Sequence, residues 1–300
     1  MLDFGKTTLE EAFRNGRALG AFSIYNLEGA QAVCRAAESQ GMPAIIQAGS
    51  SAFRYGGREQ LAALALAAGE ASEARVGVHL DHSRDLAEIR KCLEFGYTSV
   101  MVDGSDLPFE DNVTLTHKAV REARNADAWV EAELGGLSGD EDRSSKAQAG
   151  MMTDPEAAAR FVEQTGVDAL AVSIGNVHGF TPNKVKLDLE RLARIRESVS
   201  IPLVLHGASG LLEDQIEGVI GLGVAKINVN AELRWAFIDG VRDSVNCLLP
   251  DDDSIDSLLA SATERMHRVA AQKIYLFSRA DESAEGALAP IKSKNRGGAL

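Results

Sequence analysis

Three histidines stand in the same local setting, each at the end of a short apolar run. Val76-Gly77-Val78-His79-Leu80 leads into Asp81-His82, Leu170 to Ile174 leads through Gly175-Asn176-Val177 to His178, and Ile201-Pro202-Leu203-Val204-Leu205 ends in His206. Nothing about a strand end requires imidazole. A catalytic zinc site does require three protein ligands with one position left open, and neutral imidazole suits that ion. His82, His178 and His206 are therefore read as three ligands of one divalent metal. Asp81 stands beside a ligand, where it either exchanges a proton close to the metal or orients a histidine. Asp103 and Glu133 close two further apolar runs and carry the same ambiguity: they hold a ligand's tautomer or bind a second cation. His79, in mid-strand, is read as packing or as a partner of a ligand. His117 and His267 are read as helix residues without a role in the site.

Glycines after these histidines carry a second signal. Gly179 follows His178, and Gly207-Ala208-Ser209-Gly210 follows His206 and precedes a helix. Backbone N–H groups of a glycine loop at a helix start form an anion pocket. A second such place is Asn228-Val229-Asn230-Ala231, at the tip of the last strand. Turns and caps use the same residues, so the signal lies in the two loops taken together.

The elements that position these groups follow from periodicity and punctuation. Strands are expected over Leu19–Tyr25, Pro43–Gln47, Val76–Leu80, Ser99–Val102, Ala128–Leu134, Asp168–Ile174, Pro202–Leu205 and Ala225–Val229. Helices are expected between them, among them Leu27–Gln40 stopped by Gly41, Arg58–Ala71, Asp85–Phe95 stopped by Gly96, and one capped by Thr153-Asp154-Pro155. Gly49-Ser50-Ser51 reads as a loop. Glu131 and Glu133 share a face by the two-residue period. Strands that alternate with crossover helices form a parallel sheet, and eight such units predict a closed (β/α)8 TIM barrel, with an extra helix before it and further helices after it. Polar residues at the C-terminal tips of nearly all strands suit the single active face of a barrel better than the one crevice of an open sheet. Loops after the seventh and eighth strands are the habitual phosphate site of such barrels.

The chain has 300 residues, 45% hydrophobic and 25% charged, which suits one large globular domain. We place that catalytic domain at residues 1–283 and expect a loose tail over 284–300. The balance of 31 Lys and Arg against 44 Asp and Glu gives a formal charge of -13. That argues against nucleic acid or an anionic membrane as partner. Cys34, Cys92 and Cys247 are few and scattered, as in a reduced, cytoplasmic protein. No basic region precedes a long apolar run at the start, and no run reaches membrane-spanning length.

With Leu80-Asp81-His82, Gly175-Asn176-Val177-His178-Gly179, His206-Gly207-Ala208-Ser209-Gly210 and Lys226-Ile227-Asn228-Val229-Asn230 assembled, the chain resembles the class II, zinc-dependent ketose-bisphosphate aldolases. The tagatose-bisphosphate branch is nearest in length and style, and the likeness runs from about Leu9 to Asn246. The resemblance implies a TIM barrel and reversible cleavage of a ketose bisphosphate, fructose or tagatose, to dihydroxyacetone phosphate and glyceraldehyde 3-phosphate. It implies zinc on His82, His178 and His206, and Asp81 as the acid that protonates the C4 oxygen on condensation. Glu141 matches a carboxylate of a mobile loop that moves a proton at the ketone's α-carbon. Gly179, Gly207, Ser209, Asn228 and Asn230 match positions around the dihydroxyacetone phosphate, beside which a monovalent cation, Na+ or K+, often sits. A homodimer or homotetramer is the usual assembly.

The chemistry agrees with the residues. Aldol cleavage leaves a carbanion next to a carbonyl, which a Lewis acid stabilises without a Schiff-base lysine. Only the eighth strand, with Lys226, carries a lysine in its interior. Gly135 to Met152 has the glycines and charges of a lid that would bring in Glu141 and exclude water. The chain departs from the family's pattern at Ser83 for a glycine, at Ser23 for an asparagine, and at Met152 for a tyrosine. It departs also at Gln47-Ala48-Gly49, with Ser50 one step late, and at Ala231, which lacks a threonine's hydroxyl. None of these removes a ligand or a proton-transfer carboxylate, so they bear on the sugar more than on the reaction type.

Overall fold

A computed structural model describes residues 1–3, 6–136, 151–179, 185–247 and 254–279. Glu141, most of the expected lid and the expected tail lie outside the described residues. Along the chain the elements are α1 (Lys6–Arg14), β1 (Leu19–Ser23), α2 (Leu27–Gln40), β2 (Ala44–Gly49), α3 (Ser50–Gly56), α4 (Arg58–Ala71), β3 (Val76–Ser83) and α5 (Leu86–Phe95). Then come β4 (Ser99–Val102), α6 (Phe109–Arg124), β5 (Trp129–Leu134), α7 (Pro155–Thr165), β6 (Ala169–Val172) and α8 (Leu189–Ser198). The last are β7 (Leu203–Leu205), α9 (Glu213–Gly221), β8 (Val224–Val229), α10 (Ala231–Cys247) and α11 (Ile255–Ser278).

The eight strands pair in parallel, each with the next, and β1 with β8, so the sheet closes into a barrel. The fold is a (β/α)8 TIM barrel, as the alternating pattern predicts. The strands are short and buried on both faces, because helices cover the outside and side chains fill the inside. Gly41, Gly96 and Asp154 punctuate the helices as read, and Asn26, Asp85 and Gly166 supply the other ends. Asn26 accepts from the Gly29 amide at 3.0 Å to start α2, and Gly41 ends it in the left-handed region. Asp85 and Gly96 do the same for α5, and Asp154 with Gly166 for α7.

α1 plugs the N-terminal end of the barrel. Its Leu9 and Ala12 pack with Leu19, Ile45, Trp129 and Ala225 from the lower interior. At the other end of the chain α10 and α11 touch closely at Gly240, where a Cβ would come within 2.5 Å of the Ala262 backbone. No helix among the described residues is long and apolar enough to cross a membrane.

Two expectations need correction. Gly49-Ser50-Ser51 is not a plain loop: β2 runs to Gly49 and α3 begins at Ser50. The segment is a helix because it buries Ala52 and Phe53 against the body, a spacing too short for helical periodicity to show. β3 does not stop at Leu80 but continues to Ser83, with a register shift between Leu80 and Ser83.

Candidate metal centre

That irregularity in β3 is what builds the site. In a regular strand adjacent side chains point to opposite faces, so Asp81 and His82 could not both reach the barrel mouth. The shift acts as a bulge, and His82 takes φ 43, a left-handed conformation that few non-glycine residues adopt. Both side chains then line one cleft. β2 must come very near to allow this. Gly49 pairs with Asp81, and a Cβ on it would lie 2.5 Å from the Asp81 carbonyl oxygen.

The three predicted ligands converge. His82, His178 and His206 each offer a ring nitrogen, all within 4.8 Å of one another. Ring centroids lie 4.7 Å apart for His82 and His206, 5.4 Å for His82 and His178, and 6.1 Å for His178 and His206. Carboxylates set the tautomers, since they can only accept. His82 Nδ1 therefore donates to Asp103 Oδ2 at 3.2 Å, with Glu133 Oε2 at 3.8 Å. His206 Nε2 donates to Glu131 Oε1 at 2.6 Å. The remaining nitrogens, His82 Nε2 and His206 Nδ1, face each other at 3.0 Å. Two imidazole nitrogens this close suit a shared cation, and the amide nitrogen of Asn228 also lies 3.1 Å from His206 Nδ1. A tetrahedral ion with bonds of about 2.0–2.1 Å would hold such nitrogens roughly 3.3 Å apart, so the donor set fits zinc after a small adjustment.

His82, Asp103 and Glu133 form a second group whose ligand atoms also lie within 4.8 Å. Burial raises the Asp103 carboxyl's pKa, but the hydrogen bonds from His82 and Ser105 outweigh it and hold the group well below the carboxylate range. Glu131 is lowered in the same sense: burial opposes the charge, and the Lys226 ammonium and His206 more than offset it. His79 donates or accepts at Ser99 Oγ over 2.8 Å and stacks on Trp129. It touches Glu131 at 3.6 Å rather than a ligand histidine. Burial, aided by the charge of Lys226, pushes its pKa down to about 3, so it is a neutral core residue.

Asp81 is buried at the cleft wall. It accepts from Gln47 Nε2 at 3.0 Å and from Asn228 Nδ2 at 3.3 Å. Gln47 also donates to Ser23 at 3.1 Å. Ser23, where the chain departs from the family's pattern, is thus tied to the carboxylate through one amide. Ser83, another of the departures, turns away from the cleft. It is fully buried and donates to Glu88 at 2.8 Å; Glu88 also takes the Ser50 hydroxyl at 2.7 Å and the Arg58 guanidinium at 3.3 Å. One carboxylate thereby anchors the tip of β3 to the start of α3.

Of the predicted anion-binding residues, Asn230 lines the cleft and its Oδ1 accepts from Tyr25 at 3.2 Å. Gly179, Gly207, Ala208 and Ser209 stand on the loops after β6 and β7, and Asn228 and Ala231 flank the tip of β8. Gly210 N donates to Glu232 at 2.9 Å, so that amide has an internal partner. The loops after β6 and β7 abut. Gly207 has φ 62, and a Cβ there would lie 2.3 Å from the Val177 carbonyl oxygen. Gly207→Ala should cost about 1–3 kcal/mol from backbone strain alone, read as a lowered Tm, and should weaken zinc binding by displacing His178. An unchanged Tm would show the loop free to adapt.

The cleft holds about 540 Å3 and is lined also by Tyr25, Ser50, Ser51, Arg54, Arg84, Ser105 and Asp106. Apart from Ser50, no motif in the sequence singles these out. Arg84 is tied to Asp106 at 2.6 Å and to Asp103 at 3.3 Å, which leaves its hand turned to the rim. The Glu131–Lys226 pair in the barrel is half visible in the sequence, as interior positions of β5 and β8. Asn176 gains its role only in the fold: it donates to the His206 carbonyl at 2.9 Å and locks the loop carrying His178 onto β7.

Comparison with known proteins places this geometry. Residues 5–282 match the sequence profile of the family described as fructose-bisphosphate aldolase class-II. The crystal structure of the YdjI aldolase from Escherichia coli K12 is similar at TM-score 0.82 with 34% identity, covering 95% of this chain and 100% of that one. The fructose-bisphosphate aldolase of Campylobacter jejuni is similar at TM-score 0.76 with 25% identity, covering 90% and 92%.

Proposed function

This chain belongs to the class II fructose-bisphosphate aldolase family, a metal-dependent group of lyases, and from that premise we propose that it is a zinc aldolase. Its substrate is a ketose 1,6-bisphosphate, fructose or tagatose, cleaved reversibly to dihydroxyacetone phosphate and glyceraldehyde 3-phosphate. The observation that carries the reading is the convergence of His82, His178 and His206 beside Asp81 in the mouth of one closed barrel.

His82, His178 and His206 would hold the zinc, which as a Lewis acid polarises the ketone and stabilises charge on its α-carbon. Asp103 and Glu131 keep two of those imidazoles in the ligating tautomer. In the cleavage direction Asp81 takes the proton of the C4 hydroxyl as the C3–C4 bond breaks and C4 becomes the aldehyde. The bonding pair stays on C3, to which Glu141 delivers a proton. On condensation both transfers reverse. Asn228, Asn230 and the amides of Gly179, Gly207, Ala208, Ser209 and Ala231 surround the dihydroxyacetone phosphate half of the substrate, with a sodium or potassium ion beside its phosphate. Glu133 and Asp103 support His82. The acidic chain suits an anionic substrate only because zinc and these amides reverse the local sign.

The protein acts as a homodimer or homotetramer in the cytoplasm, a place that suits the free, buried Cys34 and Cys92. Burial pushes their thiols up, to about 11 and about 12, which keeps them unreactive. The test is cleavage of a panel of ketose 1,6-bisphosphates and ketose 1-phosphates by the purified zinc-loaded protein. Release of dihydroxyacetone phosphate from fructose or tagatose 1,6-bisphosphate is expected. Release only from other adducts would move the substrate within the family, and release from none would overturn the reading.

A further inference from the structure

Among the described residues one lysine lies inside the barrel, and it is not exposed to substrate. Lys226 is fully buried. Its Nζ lies 2.9 Å from Glu131 Oε2 and donates to Asn228 Oδ1 at 2.7 Å. Glu131 in turn accepts from His206, and Asn228 Nδ2 points to Asp81 Oδ1 at 3.3 Å and to His206 Nδ1 at 3.1 Å. His206, Glu131, Lys226 and Asn228 thus form a closed ring of contacts beneath the site, with Asp81 attached to it.

The direction of every bond in that ring is decided by two members. An ammonium only donates and a carboxylate only accepts. The atom of Asn228 that meets Lys226 must therefore be its oxygen, which sends the amide hydrogens toward Asp81 and His206. The atom of His206 that meets Glu131 must carry the proton, which leaves Nδ1 turned to the mouth, 3.0 Å from His82 Nε2. Without Lys226 only the longer, 3.3 Å contact to Asp81 would hold the amide of Asn228 in that orientation. Glu131 would then be a buried carboxylate short of its main counter-charge.

We propose that the Lys226–Glu131 pair positions the site as a unit: Glu131, held by Lys226, sets which nitrogen of His206 is offered to the metal, and Lys226 strengthens the choice of which end of Asn228 faces Asp81. The role rests on the aldolase reading only for what the site does next; the tautomer itself can be read without turnover. A merely structural ion pair would stabilise the barrel yet leave the ring's polarity to other groups.

The test uses the full-length protein with 15N-labelled histidine, before and after zinc loading. Long-range 1H–15N correlation should show His206 as a single Nε2–H tautomer in both states. A His206 that is Nδ1–H or mixed in the parent chain before zinc overturns the proposal, whatever any variant does. The paired variant Lys226→Met with Glu131→Gln removes both charges together, so no lone charge is left buried, and an amide can donate or accept. In it we expect His206 to populate the Nδ1–H form and zinc affinity, by competition with a chelating dye, to fall about 10- to 100-fold. A folded paired variant with the parent tautomer and parent affinity would overturn the role. Should the tautomer and affinity behave as expected while no ketose phosphate is cleaved, the positioning role stands and the substrate reading falls.

Discussion

Thorough removal of metal by a chelator lowers aldol cleavage by at least about 10³-fold, and added zinc restores it. The size follows from what the described residues of the site lack without the ion. Stabilising charge on the α-carbon of a ketone is worth several kcal/mol, and each 1.36 kcal/mol is tenfold in rate. A lysine could supply that help as a Schiff base, but Lys226 is sealed between Glu131 and Asn228 and has no exposed surface. His206→Ala should give the same loss, and excess zinc should not rescue it, because a ligand and the partner of Glu131 go together. The measurement is dihydroxyacetone phosphate release against zinc content by elemental analysis. Full activity in protein freed of metal would sink the mechanism.

Asp81→Ala should keep its zinc yet lose about 10²- to 10⁴-fold in turnover, the usual share of a positioned proton-transfer group. The carboxylate is held by Gln47 and Asn228 at the cleft wall, while the ligands sit on β3, on the loop after β6 and at the end of β7. Removing it therefore deprives the C4 oxygen of its proton acceptor without removing a ligand. A second measurement separates the two proton transfers. On the proposed mechanism, exchange of the α-carbon hydrogen of dihydroxyacetone phosphate with solvent runs through Glu141 rather than Asp81, so the variant should retain it. Loss of zinc from Asp81→Ala would make the residue structural, and loss of exchange together with cleavage would merge the two roles.

Helix ends are legible in the sequence. Gly41, Gly96 and Asp154 mark them because capping is chemistry of a few adjacent residues, and the boundaries they predict agree with the fold within a residue or two. Ser83 shows the opposite case. As a departure beside a ligand it points to an altered substrate contact, but its hydroxyl serves Glu88 and the start of α3. No local pattern announces that pairing, since Glu88 reads as one more charge near the start of α5.

The barrel and the convergence of three histidines follow from the order of residues alone. Eight apolar runs with crossover helices admit few closed arrangements, and His82, His178 and His206 each follow one run at its C-terminal end. Closure of the sheet then brings such ends to one rim. How Asp81 and His82 serve together is a matter of tertiary structure. Strand alternation sends neighbours to opposite faces, and the bulge that overrides it depends on Gly49 of the adjoining strand. Which nitrogen His82 and His206 present is likewise a tertiary property. It depends on Asp103, Glu131 and Lys226, which come from strands other than those that carry the histidines they govern. Periodicity is a property of one segment; register between segments is set by packing across the whole barrel.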